Sequence, residues 1–355
     1  MSGSSPVRVL VIDDSALMRQ LLTSLLADDP EIEVVGTAND PLMARERIKT
    51  LNPDVITLDI EMPQMDGLTF LRKLMELRPM PVVMCSTLTQ AGADATLQAL
   101  EIGAVDFISK PTGNFAGVMD DLGAELRSKV KAASRARVAV RRSAPERAII
   151  KRAQLGNVTE RVIVMGASTG GVEALKAVLV RLPPDTPPVL ITQHMPPRFT
   201  AAFANRLNNE CPMTIHEAVN EQLVERGHVY IAPGGRHLEL NRRNGRFLCL
   251  LHDGPAVSGH RPSVDVLFRS AARVAGPVSI GVILTGMGKD GAEGMLELRE
   301  ARAMTLGQDE ESSLIYGMPR AAFERGAVVR QCSLTKMSDA ILAACGASAP
   351  AMIKA

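Results

Sequence analysis

Ser168 stands in Gly166-Ala-Ser168-Thr-Gly170, a G-x-S-x-G run between the apolar stretch VIVMGA and an amphipathic one. Small residues on both sides let a serine stand on a tight strand-to-helix turn with its Oγ exposed. The helix that follows offers backbone N–H groups and its positive end to a developing oxyanion. His194 follows the apolar run PVLITQ, and Asp290 follows SIGVILTGMGK. Each of the three comes just past a buried-strand pattern, so a parallel sheet would bring them to one edge. A histidine there can take the serine proton, and an aspartate can hold its tautomer and stabilise the imidazolium.

The same run has other uses. A dinucleotide-binding glycine loop wants an acid at the end of the next strand, about twenty residues on, and here that strand ends in Gln193 and His194. Ser168 as a plain helix cap, with the glycines serving packing, is the ordinary alternative. The α/β-hydrolase fold needs the chain order Ser, Asp or Glu, His. This chain runs Ser, His, Asp, which argues for a separate hydrolase fold. His260, in GHRPSVD, is the second candidate base. His216, His228, His237 and His252 sit near strand patterns and read as structural or surface residues. Asp265 and Glu239 compete with Asp290, but their contexts, VDVLF and HLEL, look like element interiors. Lys289, beside Asp290, is placed to lower the aspartate's pKa.

A second group of chemical residues lies nearer the N-terminus. Asp13 and Asp14 end one apolar run, Asp59 another, Ser86 and Thr87 a third, and Lys110 a fourth. In an open parallel sheet, ligands bind beyond the carboxyl ends of the strands. Clustered carboxylates raise one another's pKa unless a cation joins them, and a hard divalent ion such as Mg²⁺ suits oxygen ligands. Asp59 can then attack phosphorus to give an acyl phosphate. Lys110 can pair with the phosphoryl oxygens, and Thr87 can donate a hydrogen bond. Singly, each residue has a plainer reading as a turn or cap residue.

Elements that would position these groups are visible in the periodicity. The runs VRVLVID, IEVVGTA, VITLDI, PVVMCST and AVDFIS read as strands buried on both faces. Helical patterns lie between them, giving an open, doubly wound, flavodoxin-like α/β domain with five parallel strands over 6–131. A basic segment follows, with ten Lys and Arg against Glu146 between Arg127 and Arg152, and it reads as an exposed linker over 132–159. A nucleic-acid arm is the rival reading of that segment. A second, Rossmann-like and mainly parallel α/β domain occupies 160–346, from the runs VIVMGA, PVLITQ, HVYIAPG and VSIGVILTG, with RFLCLLH as an added strand. The 355 residues suit two domains. A net charge of +1 provides no global field for nucleic acid or anionic membrane, and the absence of Trp leaves few base-stacking platforms. The five cysteines show no metal spacing, and no apolar stretch reaches membrane length. A reduced, cytoplasmic protein is the expectation, with no signal peptide.

The motifs also carry a resemblance. DD at 13–14, LDIEMPQMDG at 58–67, ST at 86–87 and DFISKP at 106–111 resemble a response-regulator receiver domain. That likeness implies Asp59 as phosphoacceptor, a histidine kinase as phosphodonor, and Mg²⁺ held by Asp14, Asp59 and the backbone carbonyl of Glu61. Asp13 would support the ion through water, and Thr87, Phe107 and Lys110 match switch positions. GASTGG at 166–171, QHMP at 193–196, YIAPGG at 230–235, GHRPSVD at 259–265, TGMGKDG at 285–291 and GMPRAA at 317–322 resemble the chemotaxis protein-glutamate methylesterase domain, the CheB family. The resemblance implies Ser168 as nucleophile, His194 as base and Asp290 as its orienter, with Thr169 and Met287 in the oxyanion region. It further implies hydrolysis of glutamate γ-methyl esters on methyl-accepting chemoreceptors and deamidation of receptor glutamines, with no cofactor for the hydrolase. An unphosphorylated receiver covering the catalytic mouth is the regulatory geometry it suggests. Arg198 and Arg206 are candidate flanks for an acidic receptor surface.

Overall fold

Strands that bury residues on both faces dictate the architecture. The computed structural model describes residues 5–62, 65–87, 89–111, 119–136, 138 and 161–346. The chain divides into two compact units, residues 1–144 and 145–355.

In the first unit the strands are β1 (Val7–Ile12), β2 (Ile32–Ala38), β3 (Val55–Asp59), β4 (Val82–Ser86) and β5 (Asp106–Ser109). They pair in parallel in the order β2-β1-β3-β4-β5. Every residue of β3 and β4 is buried, as expected of central strands covered on both faces. Helices α1 (Ala16–Ala27), α2 (Pro41–Leu51), α3 (Gly67–Leu77), α4 (Gln90–Ile102) and α5 (Met119–Ser134) alternate with the strands. The first four begin at Ser15, Asp40, Asp66 and Thr89, whose side chains accept first-turn N–H groups. Strand order reverses between β1 and β3, so the crevice at their carboxyl ends is where a ligand is expected.

The second unit is built on a wider sheet. Its strands are β6 (Val162–Ala167), β7 (Val189–Gln193), β8 (Thr214–Glu217), β9 (His228–Ile231), the hairpin β10 (His237–Arg243) and β11 (Arg246–His252), then β12 (Ser279–Ile283), β13 (Met304–Gln308) and β14 (Arg330–Cys332). Seven of them form a parallel sheet in the order β14-β13-β12-β6-β7-β9-β8, while β10 and β11 pair antiparallel outside it. The added strand expected from RFLCLLH is β11. The edge strands β8 and β14, and β13 beside β14, carry no run of the kind that marked the central strands. Helices α6 (Gly171–Leu179), α7 (Phe199–Glu210), α8 (Val264–Val274), α9 (Ala292–Glu300), α10 (Met318–Glu324) and α11 (Leu334–Gly346) complete the unit. Leu267 and Phe268 of α8 and Met295 and Leu298 of α9 are buried with Leu238 and Leu240 of β10 in its core, so α8 is clamped between α9 and the hairpin. Most of the 132–159 linker and the C-terminal tail lie outside the described residues.

Candidate functional site

β6 lies between β7 and β12, and the loops leaving these three adjacent strands carry Ser168, His194 and Asp290. Backbone bonds tie the loops together where they leave the sheet. Ser168 N–H donates to Thr285 O (3.1 Å), His194 N–H to Ala167 O (3.2 Å) and Leu284 N–H to Gly166 O (2.9 Å). Gly170, at φ 75°, takes the left-handed turn that lets α6 start immediately after the serine. Gly286 lets the β12 loop pass close by, because a Cβ there would sit 2.8 Å from Ser168 Cβ.

The side chains meet as their residue types predict. His194 Nδ1 is 3.2 Å from Ser168 Oγ, and His194 Nε2 is 2.7 Å from Asp290 Oδ2. Both partners of that second contact are buried. Burial by itself would raise the Asp290 carboxyl. The hydrogen bond and charge of His194, the Val264 N–H and the Ser263 hydroxyl outweigh it and hold the carboxyl down at about 2. Exposed Lys289, the neighbour expected to lower it, is not among these leading causes. An ionised carboxylate only accepts, so Nε2 carries the imidazole proton and Nδ1 is left to accept from the serine hydroxyl. The ring is thus turned the opposite way from the best-known serine proteases.

The other candidates fall elsewhere. His260 stacks face to face on His194, with ring centroids 3.7 Å apart and planes at 15°. It therefore borders the site, while the contacts to Ser168 and Asp290 belong to His194. Asp265 is buried in the first turn of α8, where its carboxylate accepts from Gly294 N–H at 2.8 Å. Glu239 faces Arg273 and His252. His216 and His228 pair with each other at 2.9 Å, and His237 is fully buried. Thr169 follows the serine and is buried, its carbonyl accepting from Thr285 Oγ1 at 3.0 Å. Met287 follows Gly286 on the opposite loop. Arg198 is exposed at the start of α7, and Arg206 faces Glu210 one turn along its own helix.

Gln193 has a role at the site that its sequence context did not show. The Gln193 amide nitrogen donates to Ser168 O at 2.9 Å and to His194 O at 3.2 Å. It thus ties the nucleophile loop to the base loop from beneath. Its signal is a large amide ending an otherwise apolar strand, buried to 3 % exposure.

In the first unit, Asp13 and Asp14 follow β1 and Asp59 ends β3. One carboxylate oxygen from each lies within 4.8 Å of the others. Lys110 Nζ bridges Asp13 Oδ2 (2.9 Å) and Asp59 Oδ1 (2.7 Å). Burial raises the Asp59 carboxyl to about 6, helped by the Asp13 charge and opposed by Lys110. Burial works against the Lys110 ammonium too, but the two carboxylates hold its pKa above the ordinary lysine value. A single ammonium therefore does not satisfy the three acids, and an all-oxygen site of this charge fits Mg²⁺. Glu61 adjoins it, its N–H directed at Asp59 Oδ1 at 3.3 Å. Thr87 is half-buried with its hydroxyl 3.2 Å from Thr89 Oγ1. Phe107 is buried in β5 with Lys129 Nζ 5.1 Å from its ring centre.

Comparison with known proteins identifies the family. A family described as CheB methylesterase matches residues 163–341, and one described as response regulator receiver domain matches residues 9–116. A protein-glutamate methylesterase/protein-glutamine glutaminase 1 of Xanthomonas campestris pv. campestris is 52% identical over 352 residues, covering 97% of this chain and 98% of that protein. A protein-glutamate methylesterase/protein-glutamine glutaminase of Paraburkholderia xenovorans is 53% identical over 349 residues, covering 95% of this chain and 96% of its own length. Among solved structures, the Thermotoga maritima CheB methylesterase catalytic domain is 34% identical with a TM-score of 0.51, covering 52% of this chain and 98% of that one. The chain belongs to the CheB methylesterase family, with a response regulator receiver domain ahead of its methylesterase domain.

Proposed function

We propose that this chain is a phosphorylation-regulated protein-glutamate methylesterase, and a protein-glutamine glutaminase, that acts on chemoreceptors during chemotactic adaptation. The observation that carries the reading is the continuous chain Ser168–His194–Asp290, at 3.2 and 2.7 Å, at one rim of the parallel sheet. His194 Nδ1 takes the Ser168 proton as Oγ attacks the γ-ester carbonyl carbon. Asp290 accepts from Nε2 throughout and stabilises the imidazolium. Thr169 and Met287, on the two loops beside the serine, are the candidates to receive the oxyanion. When the tetrahedral species collapses, the imidazolium gives its proton to the departing methoxide and methanol leaves. A glutamyl ester remains on Ser168. Water, deprotonated by His194, then attacks this ester, and Ser168 regains its proton as glutamate is released. A glutamine side chain follows the same course with ammonia as the leaving group.

Regulation is assigned to the first unit. Asp59 is the nucleophile toward the phosphoryl group of a histidine kinase, and Lys110 is poised to pair with the phosphoryl oxygens. Asp13, Asp14, Asp59 and the Glu61 carbonyl would hold Mg²⁺, which supplies charge neutralisation when bound. Thr87 and Phe107 are the residues expected to respond. A phosphoryl group adds roughly −2 of charge, enough to bias a marginal packing equilibrium. Among the described residues no helix is long and apolar enough to cross a membrane, which is compatible with a cytoplasmic enzyme working on receptor tails.

The deciding experiment is methanol release from methylated receptor membranes, with and without a small phosphodonor. Ser168→Ala is expected to lower kcat by several orders of magnitude. A Ser168→Ala protein that releases methanol at the wild-type rate would rule out the serine hydrolase.

A further inference from the structure

We propose, resting on the triad reading above, that Ser263 is a positioning residue. Its hydroxyl, with the first turn of α8, fixes the Asp290 carboxylate against His194. Ser263 is the N-cap of α8, and an N-cap serine ordinarily gives its oxygen to an N–H of its own first turn. This one makes no such bond. Its Oγ donates instead to Asp290 Oδ1 at 2.7 Å. The same carboxylate does the capping in its place. Val264 N–H donates to Oδ2 at 2.7 Å and Asp265 N–H to Oδ1 at 3.1 Å.

Asp290 therefore accepts four hydrogen bonds, three from the start of α8 and one from His194. A carboxylate has about four lone-pair sites, so its rotation is fixed. Ser263 is itself anchored. Its N–H donates to His237 Nδ1 at 3.2 Å, and His237 Nε2 is 3.0 Å from Pro255 O. Asp265 returns the service to the loop that carries Asp290, because its carboxylate accepts from Gly294 in the first turn of α9. The first turn of α8 is thus held by an acid of the loop before α9, and the first turn of α9 by an acid of α8. The titratable groups facing Asp290 are His194, Asp265 and His237, and His260 stacks on the imidazole of His194.

The test uses the full chain and methylated receptor membranes, with rates referred to active sites titrated by a fluorophosphonate. Ser263→Ala is expected to lower kcat roughly ten- to hundredfold, as for loss of a donor to a buried charge, with KM nearly unchanged. A carboxylate with one donor fewer holds the imidazolium more firmly. The acidic limb of kcat/KM should therefore move up by roughly half to one pH unit. Ser263→Thr, which keeps the hydroxyl, should recover most of the rate. If the alanine protein does not fold, Ser263→Cys, with its weaker donor, is expected to show the same loss and the same displacement in smaller measure. Wild-type kcat and pH profile in the alanine or cysteine variant, beside an inactive Asp290→Asn, would overturn the positioning role and leave the triad standing. Wild-type kcat in Asp290→Asn would overturn both.

Discussion

Replacing Asp59 by Asn should make the first unit more stable, and more so at high pH. The Asp59 carboxyl lies at about 6 in the folded chain against 3.8 for an ordinary aspartate, chiefly because it is buried. The folded state consequently holds a proton that the unfolded chain has released between these values. Stability is full below pH 3.8 and falls as pH rises through about 6. Proton linkage converts the displacement of about two pH units into a cost of about 3 kcal/mol at pH 8, and about half of that at pH 5. Asn keeps the shape and removes the charge, at the cost of the Lys110 contact, so a net gain of about 1–3 kcal/mol is expected at pH 8. The gain at pH 8 should exceed that at pH 5 by about 1.5 kcal/mol. Calorimetry is the appropriate assay. The chain has no Trp, and its two tyrosines, Tyr230 and Tyr316, both lie in the second unit. Tyrosine signals therefore report the other half and can be used to assign the transitions. Saturating Mg²⁺ should stabilise the parent chain and do much less for the Asn variant. A variant that is less stable at pH 8, or whose gain is equal at pH 5 and 8, would refute burial as the cause of the raised pKa.

Gly286→Ala should lower kcat about a hundredfold, the scale of a nucleophile displaced by an ångström, because the new methyl would be wedged between Met318 Sδ and Ser168 Cβ. Overpacking should cost only about 1–3 kcal/mol of stability, so methanol release per folded molecule separates displacement from unfolding. Lys110→Met should slow phosphorylation of Asp59 by a small phosphodonor about a hundredfold, as for loss of one donor to a developing anion. Phosphoprotein yield against time measures it, and an unchanged rate would mean that the ammonium never touches the phosphoryl group.

Much of the fold was legible because central parallel strands must be apolar on both faces. The VITLD of β3, the VVMCS of β4, the VLITQ of β7 and the SIGVI of β12 are buried throughout. Once they are placed, polar residues at or beyond their carboxyl ends, Asp59, Thr87, His194 and Asp290, fall at the two sites. The short β14 and the half-exposed β8 carry no such run, and β13 interrupts its own with Thr, Gly and Gln. The partners of the site were harder to see. Ser263 looks like any helix cap until the fold brings Asp290 to it from 27 residues away. Gln193 counted only as the missing acid of a dinucleotide site, although its amide holds two loops at once. His260 stood out only as a second candidate base, with no sign that its half-buried ring lies flat on His194. Contacts between residues distant along the chain leave no periodic trace.

The three strand-end bonds from residues 168, 194 and 284 make the hydrolytic centre an extension of the sheet itself. Drawing the serine away from the imidazole would mean unzipping hydrogen bonds in the middle of the unit's most deeply buried strands. A signal arriving by phosphate can hardly supply that much work. In an enzyme built this way, the alignment of serine and imidazole is a property of the second unit's own sheet.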